Sequence, residues 1–222
     1  MASERFYRLS ARKRKLICDA GFREFARIPI DKVSINRIIQ DAEISRGSFY
    51  TYFEDKWDLL RLIMDEKRKE MQASAGHYLI SSGGDVWFML RSVFNDCLKF
   101  CSSEETRAFL QNMVNYVNSS EMFGSSRKTL LDFGGSEDNI QAFYEEFGLK
   151  SGWKVTYGES LGFLQLAMMA IGMELRDFIN GVPEEEVREQ FENKLSILKY
   201  GVLGERKGRS GENQIQTEEE KR

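Results

Sequence analysis

Residues 45–56 read SRGSFYTYFEDK, a stretch that places Phe49 and Phe53 four residues apart directly after Arg46 and Gly47. At helical spacing the two rings fall within about 40° of each other, so both turn toward one core. Gly47, Ser48 and Thr51 then lie on the opposite side, with Arg46 and Tyr50 flanking that outer face. A glycine there removes the side chain that would hold the backbone away from another surface. Such a helix has to be pinned by its phenyl rings and is open to close approach on its far side.

The segments before it supply the pins. From Leu9 to Arg27 apolar residues recur at helical spacing, with Ile17, Gly21 and Phe25 on one stripe and Ala20 beside it, which predicts a first helix ending before Pro29. Ser34 stands where an N-cap belongs, and INRIIQDA after it predicts a short second helix through Ile35, Ile38 and Ile39. Ser45 is a second N-cap and opens the third helix. Three helices, the last two joined by a turn of a few residues, form the layout of a helix-turn-helix.

Charge divides along the same line. Residues 1–56 carry 12 Lys and Arg against 8 Asp and Glu, whereas residues 57–222 carry 20 against 27. The basic end suits a polyanion. Within it, Arg5, Arg8, Arg12, Lys13, Arg14 and Lys15 follow one another with no acidic residue between them. Such a run by itself is commonly a solvated face. Beside a helix-turn-helix it complements base reading with phosphate neutralisation, the two halves of one task.

The rest of the chain reads as helix. Only two prolines occur, Pro29 and Pro183, and no alternating β-branched run suggests a strand, so the expected fold class is all-α. Helices are predicted from Asp55 to about Ala75, Val86 to Phe100, Glu105 to Val117, near Arg127 to Phe133, near Glu137 to Phe147, Lys154 to Asn180 and Glu184 to Leu203. Residues 204–222 contain a single apolar side chain, Ile215, and are expected to be a disordered tail. The segment Leu161 to Met173 is interrupted by Gln165 and falls short of the roughly 20 apolar residues that span a bilayer, so no membrane partner is expected.

Catalytic and metal chemistry find little footing. His77 is the single histidine and is expected at the surface or at a helix end. Cys97 and Cys101 share a helix face, but two thiolates without a nearby histidine make a poor zinc site, and that spacing on an intact helix does not suit a disulfide. They read as core residues. With no phosphate loop and no nucleophile motif, no enzyme activity, metal or cofactor is expected. Three cysteines fit no disulfide framework, and a reducing cytoplasm is the expected location.

Three segments, ICDAGFREFA, SINRI and ISRGSFYTYFEDKWDLL, together resemble the DNA-binding region of the TetR family of transcriptional regulators over residues 9–60. The resemblance implies a DNA-binding helix-turn-helix domain over residues 1–56 and a larger helical domain over 57–203 for effector binding and dimerisation. It implies that Ser34, Asn36 and Arg37 of the second helix, and Arg46, Gly47, Ser48, Tyr50, Thr51 and Tyr52 of the third, face double-stranded DNA, with Lys56 on a phosphate. Arg46 has the chemistry to fork onto a guanine and Thr51 to touch a thymine methyl. Tyr52 lies nearer the core stripe, and packing alone is the competing reading for both tyrosines.

The resemblance further implies a homodimer through the last two long helices and a roughly palindromic operator. Leu161, Leu164, Met168, Ile171, Leu175, Phe178, Val187, Phe191, Leu195 and Leu198 are the apolar positions expected to be buried there. Bulky groups at Phe88, Met89, Phe109, Met113, Tyr116, Phe143, Phe147, Trp153, Met168 and Met169 suit an apolar cavity or plain core, and no effector-binding residue is singled out. The expected function is a repressor released by a small apolar or amphipathic effector. The alternatives are a nucleoid or cell-division factor controlled by a protein partner, and a helical interaction module or enzyme whose helix-turn-helix no longer binds DNA. Glu43 stands where the family has glycine in the turn, which costs on the order of 1 kcal/mol, and Ile39 where it has alanine.

Overall fold

The computed structural model describes residues 2–119 and 156–203. In chain order these form α1 (Glu4–Tyr7), α2 (Ala11–Arg27), a 3₁₀ turn (Ile30–Lys32), α3 (Ile35–Asp41), α4 (Arg46–Tyr52), α5 (Lys56–Ser81), α6 (Val86–Cys101), α7 (Glu104–Ser119), α8 (Tyr157–Ile179) and α9 (Glu184–Leu203). The described residues are all helical, with an N-terminal helix-turn-helix followed by larger helices. The helices predicted near 127–133 and 137–147, the tail at 204–222, and the residues Phe143, Phe147 and Trp153 lie outside the described residues.

Two apolar clusters organise the chain. The first gathers Phe6, Ile17, Ala20, Phe25, Ile38, Phe49 and Phe53 with Leu59, Leu60, Leu62 and Ile63 of α5 and Phe109 of α7. Ile17, Ala20, Phe25, Ile38 and Phe49 have no exposed surface, as the period of their helices requires. Gly21 lets α2 and α5 meet, because a Cβ there would stand 2.7 Å from Leu59 Cδ2. The second cluster joins Leu79 of α5 to Trp87, Leu90, Phe94 and Leu98 of α6, Phe163, Ala167 and Ile171 of α8, and Phe191 and Leu195 of α9. Its centre is the stack of Phe94 on Phe191, with centroids 3.9 Å apart.

Several expectations need correction. The first helix starts at Ala11 rather than Leu9, because Ser10 caps it by accepting from the Lys13 N–H at 3.3 Å. A separate one-turn helix, α1, precedes it, anchored by the fully buried Phe6. α5 continues past Ala75 to Ser81, since Ala75 and Leu79 extend its buried face.

The stripe predicted for a dimer seam is largely used within the chain. Ile171, Phe178, Val187, Phe191 and Leu195 are buried in the second cluster, whereas Met168 is exposed. A different face of α8 and α9 carries the exposed apolar groups Leu166, Met169, Met173, Ile197 and Tyr200. Of the groups suited to a cavity, Met89 and Phe109 are core residues, while Phe88, Met168 and Met169 face outward. Phe109 is held in place by Phe22, stacked at 4.6 Å.

His77 is exposed, as expected. Burial, more than any other influence, pushes the thiols of Cys18 and Cys97 up to about 12 and that of Cys101 to about 11, so all three stay protonated and behave as core residues at neutral pH. Among the described residues no helix is long and apolar enough to cross a membrane.

Candidate nucleic-acid interface

The turn between α3 and α4 fixes everything that follows. Glu43 sits at φ 52°, the one non-glycine residue with positive φ among those described. The helix end is closed around it by Ile44 N–H donating to Ile39 C=O at 3.0 Å and Glu43 N–H to Gln40 C=O at 3.2 Å, a Schellman-type stop. Lys13 then reaches across from α2 and donates to the carbonyls of Ala42 at 3.1 Å and Glu43 at 3.0 Å. The turn that lacks its glycine is thus held from outside by an ammonium.

Buried carboxylates secure both ends of the unit. Glu24, 2 % exposed, accepts from both Arg27 nitrogens at 2.7 and 2.9 Å and from the Ser34 N–H at 3.2 Å. Burial alone would raise its pKa, but the Arg27 guanidinium and the Ser34 N–H hold it below the usual carboxylate range. This corrects the role given to Ser34: it occupies the N-cap position of α3, yet its hydroxyl makes no capping bond.

At the other end, Asp55 caps α5 by accepting from the Asp58 N–H at 3.0 Å. Asp58 in turn accepts from the Glu54 N–H at 3.0 Å and from Arg61. Burial opposes its ionisation, but the positive charge and hydrogen-bond donors around it, Arg61 and the Glu54 N–H among them, hold its pKa down at about 2. The junction of α4 and α5 is therefore a reciprocal cap built on a charged carboxylate.

On the outer surface Arg46, Asn36 and Tyr50 form one exposed cluster. Arg46 Nη1 donates to Asn36 Oδ1 at 2.7 Å and Nη2 to the Tyr50 hydroxyl at 3.3 Å, with the guanidinium 5.4 Å from the tyrosine ring centre. Gly47 beside them faces open space: the nearest atom to a Cβ there would be Ser45 Oγ at 3.9 Å. Nothing in the chain's own packing requires glycine at this helical position. The Ser45 hydroxyl caps α4 through the Ser48 N–H at 3.0 Å and lies 2.9 Å from the Ser48 hydroxyl. The Thr51 hydroxyl donates back to the Gly47 carbonyl at 2.9 Å, which leaves its oxygen able to accept.

The remaining predicted residues are placed differently. Arg37 is exposed and pairs with Asp41 at 3.5 Å, one turn further along α3. Lys56 donates to the carbonyls of Asp31 at 2.6 Å and Val33 at 3.4 Å and lies over the Trp57 ring, so its charge sits at the start of α3 with hydrogen bonds already made. Tyr52 is half-buried, with Phe6 6.2 Å and Phe53 6.4 Å from its ring centre, and belongs more to the core than to the outer face. Ser34, Asn36, Arg46 and Lys56 line one cleft with Val33, Ile35, Asp55 and Trp57.

Sequence reasoning missed Lys13, Glu24 and Ser3. Lys13 and Arg14 belong to the basic run, yet both are occupied internally: Arg14 Nη1 donates to the Tyr7 and Leu9 carbonyls at 2.9 and 2.7 Å. Their backbone acceptors carry no side-chain signature. Among the described residues no group of three or more His, Cys, Asp or Glu side chains is placed to hold a metal ion.

Residues 17–63 match the sequence model of the bacterial regulatory proteins of the tetR family. The chain is 27 % identical over 101 residues to the HTH-type transcriptional regulator AcrR of Shigella flexneri, an alignment covering 46 % of this chain and 47 % of that one. It thus spans about half the length of that curated relative. A TetR transcriptional regulator from Rhodococcus sp. RHA1 shares the fold, with a TM-score of 0.52 and 15 % identity over 84 % of this chain and 94 % of the other. The matched segment holds the capped turn, the α3–α4 pair and the first turns of α5, and over these residues the chain is similar to the tetR family of bacterial regulatory proteins.

Proposed function

We propose that the protein is a sequence-specific DNA-binding transcriptional regulator, a repressor released from its operator by a small apolar or amphipathic effector, acting in the cytoplasm. The observation that carries this reading is the exposed Asn36–Arg46–Tyr50 cluster beside an unhindered Gly47. Arg46 has five donors, and the partners that aim it use two of them, so the guanidinium keeps donors for a guanine edge. Asn36, Arg37, Ser48 and Thr51 extend the same polar face, with Tyr50 at its rim. Ser34 and Lys56 line the cleft at its edge, where phosphate oxygens would lie.

Residues 1–56 are assigned to DNA binding and 57–203 to effector binding and dimerisation. A homodimer through α8 and α9 is supported by their exposed apolar face, Leu166, Met169, Met173, Ile197 and Tyr200, which a second copy would cover. Two copies would read a roughly palindromic site. Effector binding among the larger helices would alter the tilt of α5 and so the spacing of the two α4 helices.

Two measurements test the reading. Genomic fragments selected by the protein are expected to share one palindromic sequence, bound in a salt-sensitive manner. Arg46→Ala should cost about 1 to 3 kcal/mol and relax the sequence preference, while Lys56→Ala should weaken all sequences alike. Equal loss of discrimination in both would reject that division of roles.

Gly47→Ala separates binding from stability. A glycine inside a helix costs roughly 0.5–1 kcal/mol against alanine, so the variant should be more stable by that amount in urea titration. Its operator affinity should nevertheless fall, because the added methyl stands where the duplex approaches. A variant both stabler and fully active would remove close approach as the reason for this glycine.

A further inference from the structure

The short helix α1 has no part in the reading above, and it is fastened directly to the recognition helix. Ser3 N–H donates to the Tyr52 carbonyl at 2.9 Å, and its hydroxyl donates to the Thr51 carbonyl at 2.8 Å. These are carbonyls of the last turn of α4, which has no further helical N–H to satisfy them. Phe6 is fully buried, 5.1 Å from Phe53 and 6.2 Å from Tyr52 between ring centres. Arg14 closes the other side by holding the Tyr7 and Leu9 carbonyls.

This clamp decides where α1 presents its charge. Arg5 and Arg8 are exposed and share one cleft with Ser3, Glu4, Tyr50 and Thr51, so both stand beside the C-terminal turn of α4. A seven-residue helix is about 10 Å long, and the major groove is about 12 Å wide. Side chains fixed at one end of α4 therefore lie at the groove's edge, where phosphates run, rather than over the bases. The basic run is divided accordingly: Lys13 and Arg14 serve the fold, and Lys15 pairs with Asp19 at 3.6 Å. Arg8 makes only a loose pair with Glu4, at 3.2 Å with both side chains more than three-quarters exposed.

We propose that α1 is a second DNA-contacting element, in which Ser3 and Phe6 hold Arg5 and Arg8 against the phosphate backbone beside the groove entered by α4. The proposal rests on the DNA-binding reading above. A free basic arm would lose backbone entropy at every residue it orders on binding; an arm already fixed by Phe6 and Ser3 has lost most of it in folding.

The test is operator affinity of the full chain across a salt series, for wild type, Arg5→Gln/Arg8→Gln, Glu4→Gln and, as a control on the exposed face of α5, Lys69→Gln. Each phosphate contact contributes about 0.9 to the slope of log K against log salt. The double variant is expected to lose up to about 1.8 per protomer while melting with wild type, and the control to change nothing. Glu4→Gln should tighten binding, since it removes a negative charge beside the phosphates and frees Arg8. Wild-type slope in the double variant, with wild type itself binding its operator, would overturn the role of α1 alone. Failure of wild type to select any sequence would overturn the DNA-binding reading instead.

Discussion

Phe49→Ala is expected to cost about 3–5 kcal/mol, a large share of the 5–15 kcal/mol that holds a typical domain together. Phe49 has no exposed surface, packs 5.3 Å from Phe53 and carries Tyr50 edge-on at 5.5 Å on its outer side. It is the floor on which α4 rests. A seven-residue helix is not stable in isolation, so its register comes from this ring and from the Ser45 cap. Removing the ring leaves a cavity that Phe53, Phe6 and Ile38 are too constrained to fill. The urea midpoint should fall accordingly, and the outer cluster of Arg46, Asn36 and Tyr50 should lose its alignment with it. Tyr50→Ala, at a side chain 47 % exposed, should stay within about 0.5 kcal/mol of wild type. A Phe49→Ala loss under about 1 kcal/mol would mean that α4 is held by something other than its rings.

That contrast marks what was legible in the sequence. Phe49 and Phe53, Ile17, Gly21 and Phe25 announce their burial through spacing alone, because one helical period assigns each to a face. Ser45 and Asp55 announce caps, and both hydrogen bonds are present. Ser34 has the same chemistry but no such bond: its own N–H goes to Glu24, and the Arg37 N–H that a capping hydroxyl would accept goes to the Ser34 carbonyl instead. α1 was missed because one helical turn has no period to detect; Phe6 was the only cue, set among arginines. In α8 the helix is apolar on nearly every side, so spacing could not tell the face turned to α6 and α9 from the face turned outward. The outer face of α4 was placed by the same spacing, and only its expected role toward DNA came from the family pattern, while Lys56 and Tyr52 acquired partners that the pattern does not encode. Glu43 was legible as a departure, but the Lys13 ammonium that supports its turn comes from 30 residues away.

Equally invisible in sequence is Asn112. Its Nδ2 lies 3.0 Å from each of the carbonyls of Phe25, Ala26 and Ile28, more than 80 residues away. These are the terminal carbonyls of α2, which a helix cannot satisfy itself. Three acceptors around one atom also settle the orientation of the amide, because only its NH₂ end can face them. Phe109, one turn earlier on α7, stacks on Phe22, and Tyr116, one turn later, packs on Trp57 at 5.0 Å. α7 therefore grips the helix-turn-helix unit along α2 as firmly as α5 does, and any signal from the larger helices has two routes rather than one.

Asn112→Ala should cost about 2–3 kcal/mol, the penalty of leaving partly buried carbonyls without a donor. Asn112→Asp makes the assignment specific. A carboxylate facing three carbonyl oxygens is repelled, whereas the protonated acid can donate once, so folding raises this residue's pKa above the ordinary value of about 3.9. Its folded state binds the proton more tightly than the unfolded chain does, and the variant must lose stability as pH rises through the raised value. Compared with Asn112→Ala, the aspartate variant should be the less stable of the two at pH 7 and recover toward or past it at pH 4, in urea titrations of both. A constant difference between the two variants at both pH values would show that the carbonyls of α2 are not what residue 112 faces.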